Sequence, residues 1–181
     1  MRKLVVIGLV LFTNLVSAQN FEKNNLQEMA KIGIGLHGLE LSYEFPLSEK
    51  FSIDNSLGAG MGMTDYGAGA EYLLDVARPT PYMRSRLKYI YNIEKRVKKN
   101  KNTKHNSGNY IAAQVKYSFG NIKTYQLNRA LLTEVHWGIQ RDLGGNFLFN
   151  MHIGLGYLQD FQENAGDLSP TLGFQFSYIM F

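Results

Sequence analysis

Three groups of residues in this sequence have the types and spacing to do chemistry. His105-Asn106-Ser107 sets an imidazole two residues from a hydroxyl, the raw material of a lipid or ester hydrolase. A nucleophile and its base must lie within hydrogen-bond reach, with a third group orienting the base. Here the pair sits in Asn106-Ser107-Gly108-Asn109, whose composition is that of a turn. His136 and His152 form the second group. They would bind a metal only with further ligands at fitting geometry, so hydrogen bonding is their expected role and no metal or cofactor is assigned. The third group opposes Arg84, Arg86, Lys88 and Lys116 to Glu40, Glu44, Asp54 and Glu134. It reads either as a site for a charged ligand or as a network of internal ion pairs.

What could position these groups is a period of two. From Leu39, the residues Leu39, Leu41, Tyr43, Phe45 and Leu47 alternate with Glu40, Ser42 and Glu44, as in a β-strand with one apolar and one polar face. The pattern recurs and predicts eight strands: Lys31 to Leu36, Leu39 to Leu47, Phe51 to Met63, Tyr82 to Ile93, Tyr110 to Phe119, Leu131 to Gln140, Asn146 to Leu158 and Thr171 to Phe181. All eight residues of the charged group fall on polar faces of these strands, as do both histidines. Gly58-Ala59-Gly60-Met61-Gly62 is not a phosphate loop, because it lacks the Lys-Ser/Thr ending and no helix follows.

Met1-Arg2-Lys3, the apolar Leu4 to Leu15 and the small Val16-Ser17-Ala18 read as a secretory leader over 1–18. Residues 19–181 then form one domain. There is no cysteine, which removes disulfides and thiol chemistry. The net charge of +4 falls to +2 when Arg2 and Lys3 leave, too little to imply nucleic acid.

Alternation alone does not say which face points out. A secreted lipocalin-like barrel would turn its apolar face inward. Three features favour lipid outside: a polar face rich in Gly and Ser, as a narrow interior requires; a near balance of charge on that face; and aromatic residues gathered at one set of strand ends, namely Tyr43, Phe45, Phe51, Tyr89, Tyr91, Trp137, Phe147, Phe149 and Tyr178. The expected fold is therefore an all-β, eight-stranded antiparallel up-and-down transmembrane barrel, with no free edge in lipid.

An even strand count puts both termini in the periplasm. Ser48 to Lys50 and Arg141 to Gly145 become short periplasmic turns. Thr64 to Pro81, Gly120 to Ala130 and Gln159 to Pro170 become external loops, and Thr64 to Pro81 is the expected carrier of any recognition. The segment from Glu94 to Lys104 is a long periplasmic connection. Its Lys95, Arg96, Lys98, Lys99, Lys101 and Lys104 read as a solvated charged turn, with contact to anionic lipid headgroups as the functional alternative.

The chain resembles the uncharacterised outer-membrane β-barrel proteins of Bacteroidetes-type bacteria. The resemblance is carried by Gly38-Leu39-Glu40-Leu41-Ser42-Tyr43-Glu44, Tyr91-Asn92-Ile93-Glu94-Lys95-Arg96, Lys101-Asn102-Thr103, Asn106-Ser107-Gly108-Asn109-Tyr110 and Trp137-Gly138-Ile139-Gln140-Arg141. It implies a fold and an outer-membrane location in a Gram-negative cell rather than a reaction. It also implies outer-membrane lipid and the barrel-assembly machinery as partners, the latter through the C-terminal strand. There Leu172, Phe174, Phe176 and Tyr178 keep one phase and Phe181 departs from it. The functional expectation is a non-enzymatic barrel with a structural or surface-binding role. The alternatives are a hydrolase using His105 and Ser107, and a soluble ligand-binding barrel.

Overall fold

The computed structural model describes residues 26–65, 70–73, 79–120 and 127–181. The expected leader lies outside them, as do parts of the connections from Thr64 to Pro81 and from Gly120 to Ala130. The chain forms β1 (Met29–Gly35), β2 (Gly38–Pro46), β3 (Phe51–Gly60), β4 (Gly62–Asp65), β5 (Ala70–Leu73), β6 (Thr80–Tyr89), β7 (Gly108–Ser118), β8 (Ala130–Gly144), β9 (Phe147–Asp160) and β10 (Ala165–Ile179). All except β4 and β5 join one antiparallel sheet that closes in the order β1-β10-β9-β8-β7-β6-β3-β2. Every neighbour in the ring is the next barrel strand along the chain, so the barrel is up-and-down. The seam pairs Lys31 with Ile179 through to Gly35 with Gln175. Met180 N donates to Ala30 O (2.8 Å) and Ala30 N to Phe181 O (3.0 Å), carrying the seam to the last residue. Closure leaves no row of unpaired backbone groups.

The two faces sort as the alternation requires. On β2, Leu39, Leu41 and Tyr43 are exposed while Glu40, Ser42 and Glu44 are buried. On β6, Tyr82, Arg84, Arg86 and Lys88 point inward and Met83 and Leu87 outward. The outer face is largely apolar and includes Ile34, Leu57, Val135, Ile153 and Leu155, each more than half exposed. Inside, the bare faces of Gly58 and Gly138 admit the Tyr82 and Tyr110 rings, where an added Cβ would lie 2.4 and 2.3 Å from ring carbon. Gly38 turns the β1–β2 hairpin at φ +109°, a conformation other residues rarely adopt.

Several boundaries differ from the expected ones. The first strand begins at Met29, two residues before Lys31. The stretch from Arg141 to Gly145 is not a tight turn. β8 continues to Gly144, paired with β9 across a bulge between Asp142 and Gly144, and the turn itself is Gly145-Asn146. The expected external loop Gln159 to Pro170 shrinks to residues 161–164, because β10 starts at Ala165 and pairs with β9 from Asp160 down to Leu155 at Pro170. Local composition there is that of a loop, but the partner strand decides strand formation. The fourth predicted strand ends at Tyr89 rather than Ile93, and Ile93–Lys98 form a short helix, α1.

One rim, here the terminal end, carries the start of β1, the end of β10, the β2–β3 and β8–β9 turns and the α1 connection. The opposite rim, the loop end, carries the β4–β5 hairpin. β3 and β9 stand four places apart in the eight-strand ring, so they face each other across the barrel. The hairpin bridges them: Met63 packs on Ala130, Leu132 and Leu158 with Tyr72 alongside. Thr64 Oγ1 (3.1 Å) and Asp65 N (3.2 Å) donate to Asp160 Oδ2. The start of the expected recognition loop thus folds back across the mouth.

Candidate functional site

The interior concentrates buried charge of both signs. Glu40, Glu44, Asp54, Arg84, Arg86, Lys88, Lys116 and Glu134 are all buried on the inner face, as the parity of their positions required. Lys31 joins them, 3% exposed. It shares the parity of Gly33 and Gly35 on the first strand, so the signal was present in the sequence.

These groups segregate into layers. Nearest the terminal end, Glu44 is the hub. Its Oε2 receives Lys31 Nζ (2.8 Å) and Lys88 Nζ (2.7 Å), and its Oε1 receives Ser52 Oγ (2.9 Å) and Asn106 Nδ2 (3.0 Å). Asp54 Oδ2 stands 2.9 Å from Lys31 Nζ and 3.7 Å from Lys88 Nζ. Two cations and two carboxylates thus cancel in one cluster, and each is too deeply buried to exist unpaired. In the middle layer Arg84 Nη2 pairs with Glu40 Oε1, and Tyr82 donates its phenol to Glu40 Oε2 (2.9 Å). Arg86 reaches no carboxylate directly. Its Nε donates to Gln114 Oε1 (2.7 Å), and Gln114 Nε2 donates to Glu134 Oε1 (2.8 Å).

Lys116 differs from the other cations. Its Nζ has no hydrogen-bond partner and no ion pair among the described residues. It lies over the Tyr82 ring, 4.3 Å from the centroid. Such a contact contributes about 2 kcal/mol when desolvated, against a burial penalty of several kcal/mol for an unpaired ion. Between the rims five cations (Lys31, Arg84, Arg86, Lys88, Lys116) face four carboxylates (Glu40, Glu44, Asp54, Glu134), and Lys116 carries the surplus. Asp160, at the loop-end rim, is occupied by Asn128 Nδ2 and by the backbone of Asp65, Gln162 and Glu163.

Among the described residues, Glu134, His136 and His152 come closest to a metal set, with one donor atom each inside a 4.8 Å spread. His136 Nδ1 lies 2.8 Å from Glu134 Oε1, and the two imidazoles pack with centroids 4.3 Å apart. Glu134 Oε1 already accepts from Gln114, and the surplus of positive charge opposes a divalent cation. The trio reads as interior packing and hydrogen bonding.

His105 and Ser107 come together differently from a nucleophile and its base. His105 Nδ1 faces Asp142 Oδ1 at 2.9 Å. Ser107 Oγ, however, donates to Lys104 O (2.7 Å) and accepts from Asp142 N (2.7 Å). The hydroxyl proton is aimed at a backbone carbonyl, and Ser107 is 1% exposed. Asp142 lies beyond Gln140, where β8 has lost β7 as a neighbour. Desolvation pushes its carboxyl up, but hydrogen bonds from Asn102 and His105 outweigh this and hold it below its ordinary value.

No protein-family model, curated protein or solved structure matches this chain.

The α1 connection is more than a solvated turn. After α1 the chain makes a 3-10 turn at Lys104–Asn106 and sends Asn106 into the barrel. His105 and Asn106 both take left-handed backbone conformations (φ 52° and 56°), which cost roughly 1–2 kcal/mol per non-glycine residue. Gln27 secures them: its Nε-bearing amide accepts His105 N through Oε1 (2.9 Å), its N donates to Asn106 Oδ1 (2.6 Å) and its O accepts Asn106 Nδ2 (2.8 Å). Gln140 Nε2 adds a bond to His105 O (2.9 Å). Asn106→Ala removes the contacts to Gln27 and Glu44 together. It is expected to lower stability by about 2–3 kcal/mol, read as a lower urea midpoint at unchanged slope.

The six basic candidates of this connection divide. Lys95, Arg96, Lys99 and Lys101, with Arg141, line an open cleft of about 570 Å³ beside Tyr91. Lys98 and Lys104 do not line it. Arg96 and Arg141 are partly spent on backbone carbonyls: Arg96 Nη2 donates to Asn102 O (2.7 Å) and Arg141 Nη1 to Gly108 O (2.7 Å). The exposed lysines retain free donors.

Proposed function

We propose that this protein is a transmembrane β-barrel of a Gram-negative outer membrane, akin to the Bacteroidetes-type barrels it resembles. Its role is structural or surface-binding rather than enzymatic, and its lumen is plugged by charged side chains. The observation that carries this reading is the inversion of the barrel: charge is inside, and the outer wall is predominantly apolar, interrupted at mid-strand by the uncharged Asn55, Ser85 and Thr133. In water a wall of that extent is an aggregation hazard. In lipid it is the required solvent-facing surface.

Aromatic pairs support the same reading. At the terminal end Phe51 stacks on Tyr89 (4.9 Å), Phe147 meets Tyr178 (5.5 Å) and Phe149 meets Phe176 (5.0 Å). Trp137 Nε1 donates to Tyr91 OH (2.9 Å). The loop end has its own group, Tyr117 with Phe119 (4.9 Å) and Phe161 (6.2 Å), which was not foreseen from the sequence. Two aromatic rims flanking an apolar band match the two interfaces of a bilayer.

In this orientation the terminal end is periplasmic and the basic cleft lies at the inner-leaflet surface. Each lysine there contributes up to about 1 kcal/mol of attraction to anionic headgroups, weakened by salt. The outward Leu172, Phe174, Phe176 and Tyr178 of β10 are the surface offered to the assembly machinery.

Sidedness is the test, and a chain without cysteine makes it direct. Single Cys variants at Lys98 and at the exposed Glu163 of the loop-end turn are treated on intact cells with a membrane-impermeant thiol reagent. Position 163 should label at once, and position 98 only after the outer membrane is permeabilised. Labelling of position 98 on intact cells would reverse the orientation. Recovery of the protein in the soluble fraction would remove the membrane reading altogether.

A further inference from the structure

Lys116 points to a binding site. Beneath the β4–β5 hairpin the barrel interior holds a cavity of about 190 Å³. His37, Arg84, Lys116 and Thr171 line it on one side. Three of them have a buried polar atom without a hydrogen-bond partner among the described residues, His37 Nδ1, Arg84 Nε and Lys116 Nζ, while the Thr171 hydroxyl faces the Glu134 carboxylate. Met61, Tyr72 and Leu132 are among its apolar lining, and Gln114 and Glu134, hydrogen-bonded to each other, also reach the wall. Lys31 and Lys88 are matched by Glu44 and Asp54, Arg84 by Glu40, and Arg86 is held by Gln114, so a cation with neither a carboxylate nor a hydrogen-bond acceptor, beside a cavity, stands out.

The electrostatics fix the sign of the occupant. Arg84 is committed to Glu40 through Nη2 and still has Nε to give. Lys116 has no carboxylate within ion-pair distance among the described residues: Glu40 and Glu134, which act on it at longer range, are engaged by Arg84 and Gln114, and the Tyr82 ring offers no hydrogen-bond acceptor of ordinary strength. An anion placed here would pair with Lys116 and take the spare Arg84 donor, with the Thr171 hydroxyl beside it. Ion pairs in a desolvated interior are stable when both charge and hydrogen bonds are complete.

The size and lining fix the class. A cavity of roughly 150 Å³ lined by aliphatic side chains holds benzene, so this one holds an organic molecule of about that size. Its wall is divided between donors and apolar side chains, as small-molecule sites are. We infer that the cavity under the β4–β5 hairpin binds a small organic monoanion, a carboxylate with a compact apolar body, held by Lys116 and Arg84 with its apolar part against Met61, Tyr72 and Leu132. This goes beyond a structural role for the barrel and does not depend on which rim faces the cell exterior.

The test is calorimetric titration of the folded, detergent-solubilised barrel with three probes. Benzoate carries both features, benzylammonium has the same ring with the opposite charge, and inorganic phosphate has the charge without the ring. Retention of the fast-migrating folded form in unheated gels checks the fold of each variant. Benzoate is expected to bind saturably and benzylammonium not at all. Lys116→Met, close in shape and uncharged, should weaken benzoate binding at least tenfold. Leu132→Trp fills the apolar half and should do the same with Lys116 intact. No saturable benzoate binding to the parent protein, or equal binding after Lys116→Met, would overturn the proposal. Phosphate binding as tightly as benzoate would overturn the organic character of the ligand.

Discussion

Glu44→Gln should destabilise the barrel by about 3–5 kcal/mol, the range for removing one partner from a buried ion pair. Glu44 is fully buried and accepts from Lys31, Lys88, Ser52 and Asn106. Gln140 adds a longer contact at 3.4 Å. The amide keeps the shape but loses the charge, leaving Lys31 and Lys88 to share Asp54 alone. The readout is the urea midpoint of the barrel refolded in lipid, at unchanged slope. Lys88→Met in the Glu44→Gln background should recover part of the loss, because the remaining Lys31 then balances Asp54. Strictly additive losses in that double-mutant cycle would show that Glu44 and Lys88 are not energetically coupled. Pairing Glu44→Gln with Arg86→Met serves as the contrast. The sequence offered Arg86 as a partner, but the structure sends its Nε to Gln114, so this cycle should show little coupling.

That contrast marks where the sequence stopped being informative. The period of two is an exact geometric property of a strand, so one consistent run such as Leu39 to Leu47 assigns every residue in it to a face. Closure was expected because a lipid-facing sheet can leave no free edge, and the inner position of all eight charged residues followed from parity once the apolar face was turned outward. Which charges meet did not follow. Glu40 and Glu44 are equivalent by parity, yet one meets Arg84 and the other Lys31 and Lys88, because the partner is chosen by height and by distance across the lumen. That choice depends on stagger around the ring, which local pattern does not encode.

Two other features were hidden for different reasons. Asn106 reads as a turn residue because its immediate neighbours are polar and small. Its actual role depends on Gln27, 79 positions away, and on an unusual backbone conformation at two successive residues. The beginning of β10 reads as a loop because Gly166, Asp167, Ser169 and Pro170 are loop formers. β9 nevertheless continues to Asp160 and supplies a pairing partner for each position back to Ala165. The candidate ligand cavity combines both difficulties. Lys116 was legible as an interior cation, but its lack of a counter-charge appears only once every other carboxylate has been placed. The cavity's apolar wall includes Met61, which the sequence places at the end of a third strand that in fact stops at Gly60, and Tyr72, inside what the sequence presents as an external loop.

Leu41→Arg should cost about 2–4 kcal/mol in a bilayer, the penalty for a cation near mid-membrane on a barrel's outer face. Leu41 is central in β2, more than half exposed, and flanked on the outer wall by Ile32 of β1 and Leu57 of β3, its register partners. The penalty is therefore specific to lipid. In a small-headgroup detergent micelle, where water reaches the surface more readily, the same variant should lose much less. Ser42→Arg is the opposite case. Ser42 is buried between Lys31 and Ser56, so an arginine there adds charge and bulk to a filled interior, and its cost should be similar in micelle and bilayer. Comparing the two variants in the two media separates a lipid-facing wall from a merely apolar one. Environment-sensitive fluorophores attached through Cys at 41 and 42 give the direct readout. The label at 41 should shift to the blue on transfer from detergent to lipid vesicles, and the label at 42 should not. A lipid response at 42 with none at 41 would mean that the barrel is turned inside out relative to its alternation. The interior charge network would then have to be explained as a surface.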